Sequence, residues 1–466
     1  MKVLFVFILL LVQSIFLYSQ DSLLFYLEIA AKNNPTGMQK YHEYEASLQK
    51  VPQVGSLPDP DISIGVFLSP MELINGNQLA DIRLMQMFPW FGVLKNAKDE
   101  MSLMAKAKYE LFRDAKLQTF YDVQRTCYEL YKVKQDIRIS ENNIEILHTL
   151  ERLALVKFKS SSSVGSIASG SNMNNNSPQN NTSGSSSMGG GMINANNNQS
   201  SIVNPPSSMG SSASGGSGLT DIYRIQMDIG ELDNNIALLK NQQSTISVRF
   251  NTYLNRPVKT AISLPDTLKP FRLNVPLLAV SDSMLNNNPM LGMLHYEQQS
   301  YDARKKMVSR MGYPMIGIGL NYSLINKNPM STSAMNGSDM IMPMVTVTLP
   351  IYRKKYKAMQ TEVDLMKMST EQGYTGASNS LQTEYYEAIQ LYQDAERRMK
   401  LYENQSLLAK KSLEIMIKSF STSSSGLTDI LQIRQQKLNY EFKEVEAVVD
   451  FNTAIAWLER LMANNN

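Results

Sequence analysis

The sequence predicts a mainly α-helical protein that carries four β-strands of membrane-crossing length and is built as two copies of one unit. Three observations predict it. Ser217-Gly218-Leu219-Thr220-Asp221-Ile222 returns letter for letter as Ser425-Gly426-Leu427-Thr428-Asp429-Ile430. Each copy follows a long helical pattern, and from Val93 to Lys159 the first of these contains neither proline nor glycine. Ahead of each long pattern stand two runs in which apolar and small or polar residues alternate, the period of a strand.

The repeat has informative offsets. Asn33-Asn34-Pro35 matches Asn287-Asn288-Pro289, 254 residues on. Phe88-Pro89-Trp90-Phe91 matches Leu349-Pro350-Ile351-Tyr352 at 261, and Phe158 matches Phe420 at 262. The twin hexapeptides are only 208 apart, which locates one insertion in the first half, between Phe158 and Gly218.

Residues 1–19 read as an export signal: Lys2, an apolar run from Val3 to Tyr18 broken only by Gln13 and Ser14, then small Ser19. An uncleaved anchor is the alternative. Residues 20–60 hold a short amphipathic helix from Leu23 to Ala31, ended by Asn33-Asn34-Pro35, and a second helix of about twenty residues reaching Val51, where Pro52, Pro58 and Pro60 break the pattern.

Residues 61–89 form the first hairpin. Ile62, Ile64, Val66 and Leu68 alternate with Ser63, Gly65 and Phe67; the return run puts Ala80, Ile82, Leu84 and Phe88 on one face and Asp81 and Arg83 on the other, with a loop at 69–78. Residues 314–350 repeat the design. Ile316, Ile318, Leu320 and Tyr322 alternate with Gly317, Gly319, Asn321 and Ser323, and Val345, Val347 and Leu349 alternate with Thr346 and Thr348. Runs of about nine or ten residues are what a tilted strand needs to cross a bilayer. The apolar face then meets lipid, and Asp81, Arg83, Asn321, Thr346 and Thr348 become candidates for the watery side. Four strands cannot close a barrel, and an open edge in lipid leaves backbone groups unpaired, so oligomerisation is forced. Three chains supply twelve strands.

Phe88, Trp90, Phe91 and Tyr352 end the hairpins and suit a membrane interface; an ordinary buried aromatic cluster is the alternative. Residues 90–254 hold the first long helical hairpin, on the order of 100 Å for the outgoing helix. Val123, Cys127, Leu130, Ile137, Ile144 and Leu147 step at coiled-coil intervals, which makes Cys127 a packing residue. Residues 160–218, uncharged and rich in Ser, Asn, Gly and Met, cannot bury enough apolar surface to order themselves. Residues 255–289 are a Pro-rich linker and 290–313 a second short helix. The second long hairpin and tail occupy 351–466, with Gly373 and Gly376 interrupting the outgoing rod and Leu431, Leu438, Phe442, Val445 and Val449 forming the seam of the returning helix.

The net charge of +3 is too balanced to imply a nucleic-acid partner, and Cys127 is the single cysteine, so neither a disulfide nor a cysteine-based metal site is expected. No GxSxG elbow, HExxH, P-loop or dinucleotide fingerprint is present, so no enzyme, cofactor or catalytic residue is expected. His42, His148 and His295 are isolated on helices. Asp221 and Asp429 sit in the first turn of a helix after a Gly and a Thr, where capping of free N–H groups and a ring of carboxylates in a symmetric oligomer are both open readings. The 29 methionines include Met173, Met188, Met192 and Met209 in the insertion and Met330, Met335, Met340, Met342 and Met344 near the second hairpin. Thioethers suit Cu(I) or Ag(I), and general methionine bias is the alternative.

The order helix, strand hairpin, long helix pair, repeated once behind a signal, resembles the TolC-like outer-membrane efflux proteins. The residues that carry it are Asn33-Asn34-Pro35, Phe88-Pro89-Trp90-Phe91-Gly92 entering a long helix, and the twin Ser-Gly-Leu-Thr-Asp-Ile helix starts. The resemblance implies a homotrimer with a twelve-stranded barrel in the bacterial outer membrane and a coiled-coil α-barrel across the periplasm. It also implies a passive exit duct working with a periplasmic adaptor and an inner-membrane transporter. Loops at 68–79 and 324–339 then face outward, and Ser217, Gly218, Leu219, Thr220, Asp221, Ser425, Gly426, Leu427, Thr428 and Asp429 mark the periplasmic tip and gate. The resemblance also admits a Cu(I) or Ag(I) exporter duct. A coiled-coil structural protein of the envelope, with no channel, is the competing one.

Overall fold

A computed structural model describes residues 22–164, 217–421 and 426–463, apart from 272, 274, 275 and 333. The export signal at 1–19, residues 165–216 of the insertion with its four methionines, and Ser425 lie outside the described residues. The chain forms two compact units. The first comprises Met1–Arg138, Leu238–Leu408 and Asn439–Asn466, the second Ile139–Ala237 and Ala409–Leu438.

The elements follow the repeat. The first half has α1 (Ser22–Asn33), α2 (Pro35–Gly55), β1 (Asp61–Leu73), β2 (Gly76–Phe88), α3 (Val93–Val164) and α4 (Ser217–Tyr253). The second has α5 (Leu277–Asn287), α6 (Pro289–Met311), β3 (Met315–Asn326), β4 (Met340–Thr348), α7 (Arg353–Ser421) and α8 (Leu427–Met462). None of the described helices is long and apolar enough to cross a membrane.

The Asn-Pro pairs explain why the short helices break where they do. Asn34 is extended, and its side chain accepts from the backbone N–H of Thr36 (3.0 Å) and Gly37 (3.1 Å), while Pro35 opens the next helix without a lost donor. Its Nδ2 donates 2.9 Å to the carbonyl of Tyr253, at the end of α4. Asn288 repeats the device: it accepts from Met290 N at 2.9 Å and donates to the Leu461 carbonyl at 3.4 Å. The staple therefore ties each short helix pair to the end of its own returning helix. Both returning helices end in a left-handed residue, Asn255 (φ 50) and Ala463 (φ 54), again 208 apart.

Several sequence expectations need correction. The linker at 255–289 contains helix α5, the counterpart of α1. Pro52 lies inside α2, which continues to Gly55; in the last turn the missing N–H costs one bond only, and Ser56 Oγ donates to the Pro52 carbonyl at 2.7 Å. Gly373 and Gly376 do not interrupt α7, and a Cβ on Gly373 would sit 3.7 Å from Leu294. The expected loop at 69–78 is mostly strand, because β1 reaches Leu73 and β2 begins at Gly76, with an irregular pairing between Val66 and Met71. Gly76 has φ 124, and a Cβ there would collide with the Asn326 carbonyl, so the tight turn requires glycine. The helices also invade the expected 160–218 loop, ending at Val164 and starting at Ser217.

Most of the seam positions are buried as spaced. Val123, Cys127, Leu130, Ile137 and Leu147 are all buried on α3, while Ile144 is only half-buried and Asn143 takes the interior position beside it. On α8, Leu431, Leu438 and Val449 are buried and Phe442 and Val445 half-buried. Burial pushes the Cys127 thiol up to about 12, the signature of a packing cysteine.

Candidate functional site

The four strands form one antiparallel sheet in the order β1-β2-β3-β4. Register fixes which side chains share a face. Ile62 pairs with Leu84, Ile64 with Ile82, and Val66 with Ala80. Leu84 in turn pairs with Leu320 and Phe88 with Ile316, and Ile318 pairs with Val345 and Ile316 with Val347. One face dominated by Ile, Val and Leu results, with Gln86 beside Ile318 its polar member, and it is uncovered: Ile64 is 67% exposed, Val66 70% and Val345 73%. An apolar patch of this kind is an interaction surface for another apolar phase. Both outer strands, β1 and β4, are open edges. Pro343, which donates no ladder bond, sits on edge strand β4.

The opposite face gathers the residues predicted to meet water. Asp81 pairs with Gly65 and Ser323, and Arg83 with Ser63 and Asn321. Thr346 pairs with Gly317 and Thr348 with Met315. All five predicted residues, Asp81, Arg83, Asn321, Thr346 and Thr348, thus share it. Asn321 is buried within the single chain, and its Oδ1 has no hydrogen-bond partner there.

Aromatics collect where the strands meet the helices. Trp90 stacks on Tyr313 with centroids 5.4 Å apart and meets Phe91 edge-on at 5.9 Å. Phe91 and Tyr352 are more than four-fifths exposed, and Phe88 is partly exposed, so they are not a buried cluster.

The sequence matches no family model and no curated protein. Solved structures match across nearly the whole chain. The Campylobacter jejuni CmeC outer membrane channel aligns with a TM-score of 0.70 at 12% identity, covering 95% of this chain and 86% of that one. The open-state Neisseria gonorrhoeae MtrE outer membrane channel gives 0.68 at 12%, covering 95% and 88%. The outer membrane protein VceC from Vibrio cholerae gives 0.66 at 10%, covering 94% and 95%. The chain has the outer-membrane channel fold.

Within this channel fold the twin hexapeptides lie in the second unit, at the starts of α4 and α8, and are not equivalent. Ser217 and Gly218 already belong to α4, so Asp221 is its fifth residue and not in the first turn as expected; Asp429 is in the first turn of α8. Leu219 is 46% exposed while Leu427 is buried. Burial raises the Asp221 carboxyl above its ordinary value, opposed by Arg224 and Lys157. Arg224 Nη1 donates to Thr428 Oγ1 at 3.3 Å, a bond between the two helix starts. Thr220, Gly426 and Asp429 are exposed.

Sequence reasoning missed the buried charges. Arg434 is almost wholly buried, and its Nη2 donates 2.7 Å to Asp228. Burial lowers its pKa, with Asp228 acting against that. Asp136, in the first unit, is pushed up to about 6 by burial, with Lys132 opposing and Glu446 adding to the rise. No pattern of one chain announces them, because charges at helix positions read as solvated until the packing is known. His42, His148 and His295 contact Glu45, Glu151 and Gln299 on helix surfaces. No group of three or more His, Cys, Asp or Glu that could hold a metal occurs among the described residues.

Proposed function

We propose that three copies of this chain form an outer-membrane exit duct that conducts substrates passively from the periplasm to the outside. The observation that carries it is the sheet: a largely apolar exposed face, a polar opposite face, and two unpaired edges in one subunit. In water the apolar face is costly, and in lipid the edges are costly. Pairing β4 of one copy with β1 of the next removes both penalties and puts Asp81, Arg83, Asn321, Thr346 and Thr348 around an aqueous lumen. Residues 61–89 and 314–350 then lie in the membrane, and Phe88, Trp90, Phe91 and Tyr352 at its periplasmic boundary. The segments at 20–60, 255–289 and 290–313 form the belt beneath it, and the long hairpins at 90–254 and 351–466 the periplasmic part.

Likeness to outer-membrane channels supports the same reading. On it the starts of α4 and α8 form the periplasmic mouth, where Asp221 and Asp429 of three copies make a ring of six carboxylates and the Arg224–Thr428 bond helps hold the mouth narrow. A periplasmic adaptor docks there and couples the duct to an inner-membrane transporter that supplies the energy. The test is planar-bilayer conductance of the purified, detergent-solubilised protein. Trimers with stable cation-conducting steps are expected; a folded protein that stays monomeric and gives no conductance leaves the coiled-coil structural reading.

A further inference from the structure

Methionine is distributed on the sheet with complete asymmetry. Over the stretches clear of the register shifts, 61–66, 80–88, 315–324 and 340–348, it occupies positions 85, 87, 315, 340, 342 and 344; Met71, paired with Gln78, lies beyond the shift. Register puts all six on the polar face, beside Asp81, Arg83, Asn321 and Ser323, and none on the apolar face, which uses Ile, Val, Leu and aromatics together with Ala80, Gln86 and Pro343. A general bias toward methionine has no reason to avoid the face where an apolar thioether costs least.

The glycines of β3 make room for these side chains. Gly319 lies between Met85 on β2 and Met344 on β4, and Gly317 between Met87 and Thr346. The sulfurs of Met87 and Met85 lie 2.5 and 3.2 Å from the point where a Cβ on Gly317 would stand. The Met85 sulfur is also 3.0 Å from the equivalent point on Gly319. Two thioethers therefore converge over a trough that any side chain on β3 would fill, and Met344 borders it from the far strand. Met342 and Met340 continue the row beside Asn321, whose buried Oδ1 has no partner within the chain.

We propose that this trough is a binding site for a soft monovalent cation, Cu(I) or Ag(I), with Met85, Met87 and Met344 as its thioether ligands and Met342 and Met340 as the next step along the row. The proposal rests on the duct reading only in taking this face to line the lumen. Thioether sulfur selects soft cations over the Na⁺, K⁺ and Mg²⁺ that hard oxygen ligands take. Neutral ligands in series bind and release, which is what passage through a pore requires. Asp81 on the same face adds attraction without being a ligand.

The test compares the full-length oligomer with Met85→Leu/Met87→Leu/Met344→Leu, in chloride-free detergent buffer with Ag(I) as the probe. Leucine keeps the volume and removes the sulfur. Calorimetric titration and silver counting after gel filtration should give at least one site per chain that the variant lacks, or a loss of about tenfold or more in affinity. Methionines elsewhere bind equally in both proteins, so equal silver in both overturns the site. Met87→Leu alone serves if the triple variant fails to assemble; in wild-type protein labelled at the methionine methyls, the resonance absent from Met87→Leu must shift on adding Ag(I), and its failure to move also overturns the site. Potassium conductance should be the same in wild type and variant. Absence of conductance from both would reject the duct and leave the silver comparison to stand on its own.

Discussion

Tyr26, Ala30, Val123, Phe250 and Leu254 share one buried cluster in the first half, and Val280, Met284, Tyr385, Leu458 and Met462 share one in the second. These are the same five positions, displaced by the offsets of 254, 262 and 208 read from the sequence. What differs is how volume is divided. The first half places its tyrosine on the short helix α1 and valine on the long helix α3; the second places valine on α5 and tyrosine on α7. At the tyrosine–valine pair the repeat keeps the summed volume while exchanging the side chains, as close packing allows, whereas Ala30 answers to the larger Met284.

The largest expected effect comes from breaking that trade. Tyr26 meets Phe250 edge-on at 5.0 Å, and its hydroxyl accepts from Ser263 N at 2.9 Å. Tyr26→Val should cost about 3 kcal/mol or more, from the cavity and the lost hydrogen bond. Adding Val123→Tyr reproduces the second half's arrangement and should recover a substantial part. Denaturant midpoints of the four proteins in a double-mutant cycle check it, and simple additivity would show that the two positions do not share one space.

The staples sharpen the comparison next. Asn34 makes two capping bonds and a 2.9 Å tie to Tyr253, whereas Asn288 makes one capping bond and a 3.4 Å tie to Leu461. Asn34→Ala should therefore cost about 2 kcal/mol and Asn288→Ala about 1. Thermal midpoints measured side by side decide it, and equal losses would mean the geometric difference carries no energy.

These pairs also show what was legible in sequence. Asn-Asn-Pro, the twin hexapeptides and the alternating strands fixed element types and order, because capping, period and repeat are local or self-similar signals. Even so, α5 escaped: prolines at 257, 265, 270 and 276 dominate the segment, and only carrying the 254 offset back from Asn287 would have exposed it. On the sheet, alternation assigned Asp81, Arg83, Asn321, Thr346 and Thr348 to one face, yet the gathering of methionines opposite Gly317 and Gly319 needs cross-strand register. The buried Arg434 and Asp136 were illegible for a related reason, since helix spacing reports a face but not what covers it.

Charge supplies the third contrast. Lys132 and Asp136 on α3 correspond, at offset 262, to Asp394 and Arg398 on α7, the same pair with its signs reversed. Arg398 reaches Asp450 at 2.7 Å, while Asp136 sits near Lys132 with its carboxyl raised to about 6 from an ordinary 3.8. The folded carboxyl holds a proton that the unfolded chain releases between those two values. Stability therefore falls as pH rises through that window, and the full penalty, up to about 3 kcal/mol, persists above it. Asp136→Asn should raise the thermal midpoint at pH 7 and lose its advantage toward pH 4. An advantage independent of pH would place the effect in packing instead.

The smallest effect expected is at Cys127, whose counterpart at offset 262 is Ile389, packed against the second cluster. Isoleucine is larger than cysteine, so Cys127→Ile tests whether the space beside Tyr26 and Phe250 takes the added volume, and should cost about 1 kcal/mol through overpacking. The native thiol, buried and raised to about 12, should resist maleimide until denaturant opens the cluster. Rapid labelling of the folded protein would mean that α1 lifts away from α3 and α4 on the timescale of the reaction. The first cluster would then be looser than the second, where Val280 and Met284 are wholly buried in one cluster with Tyr385 and Leu458.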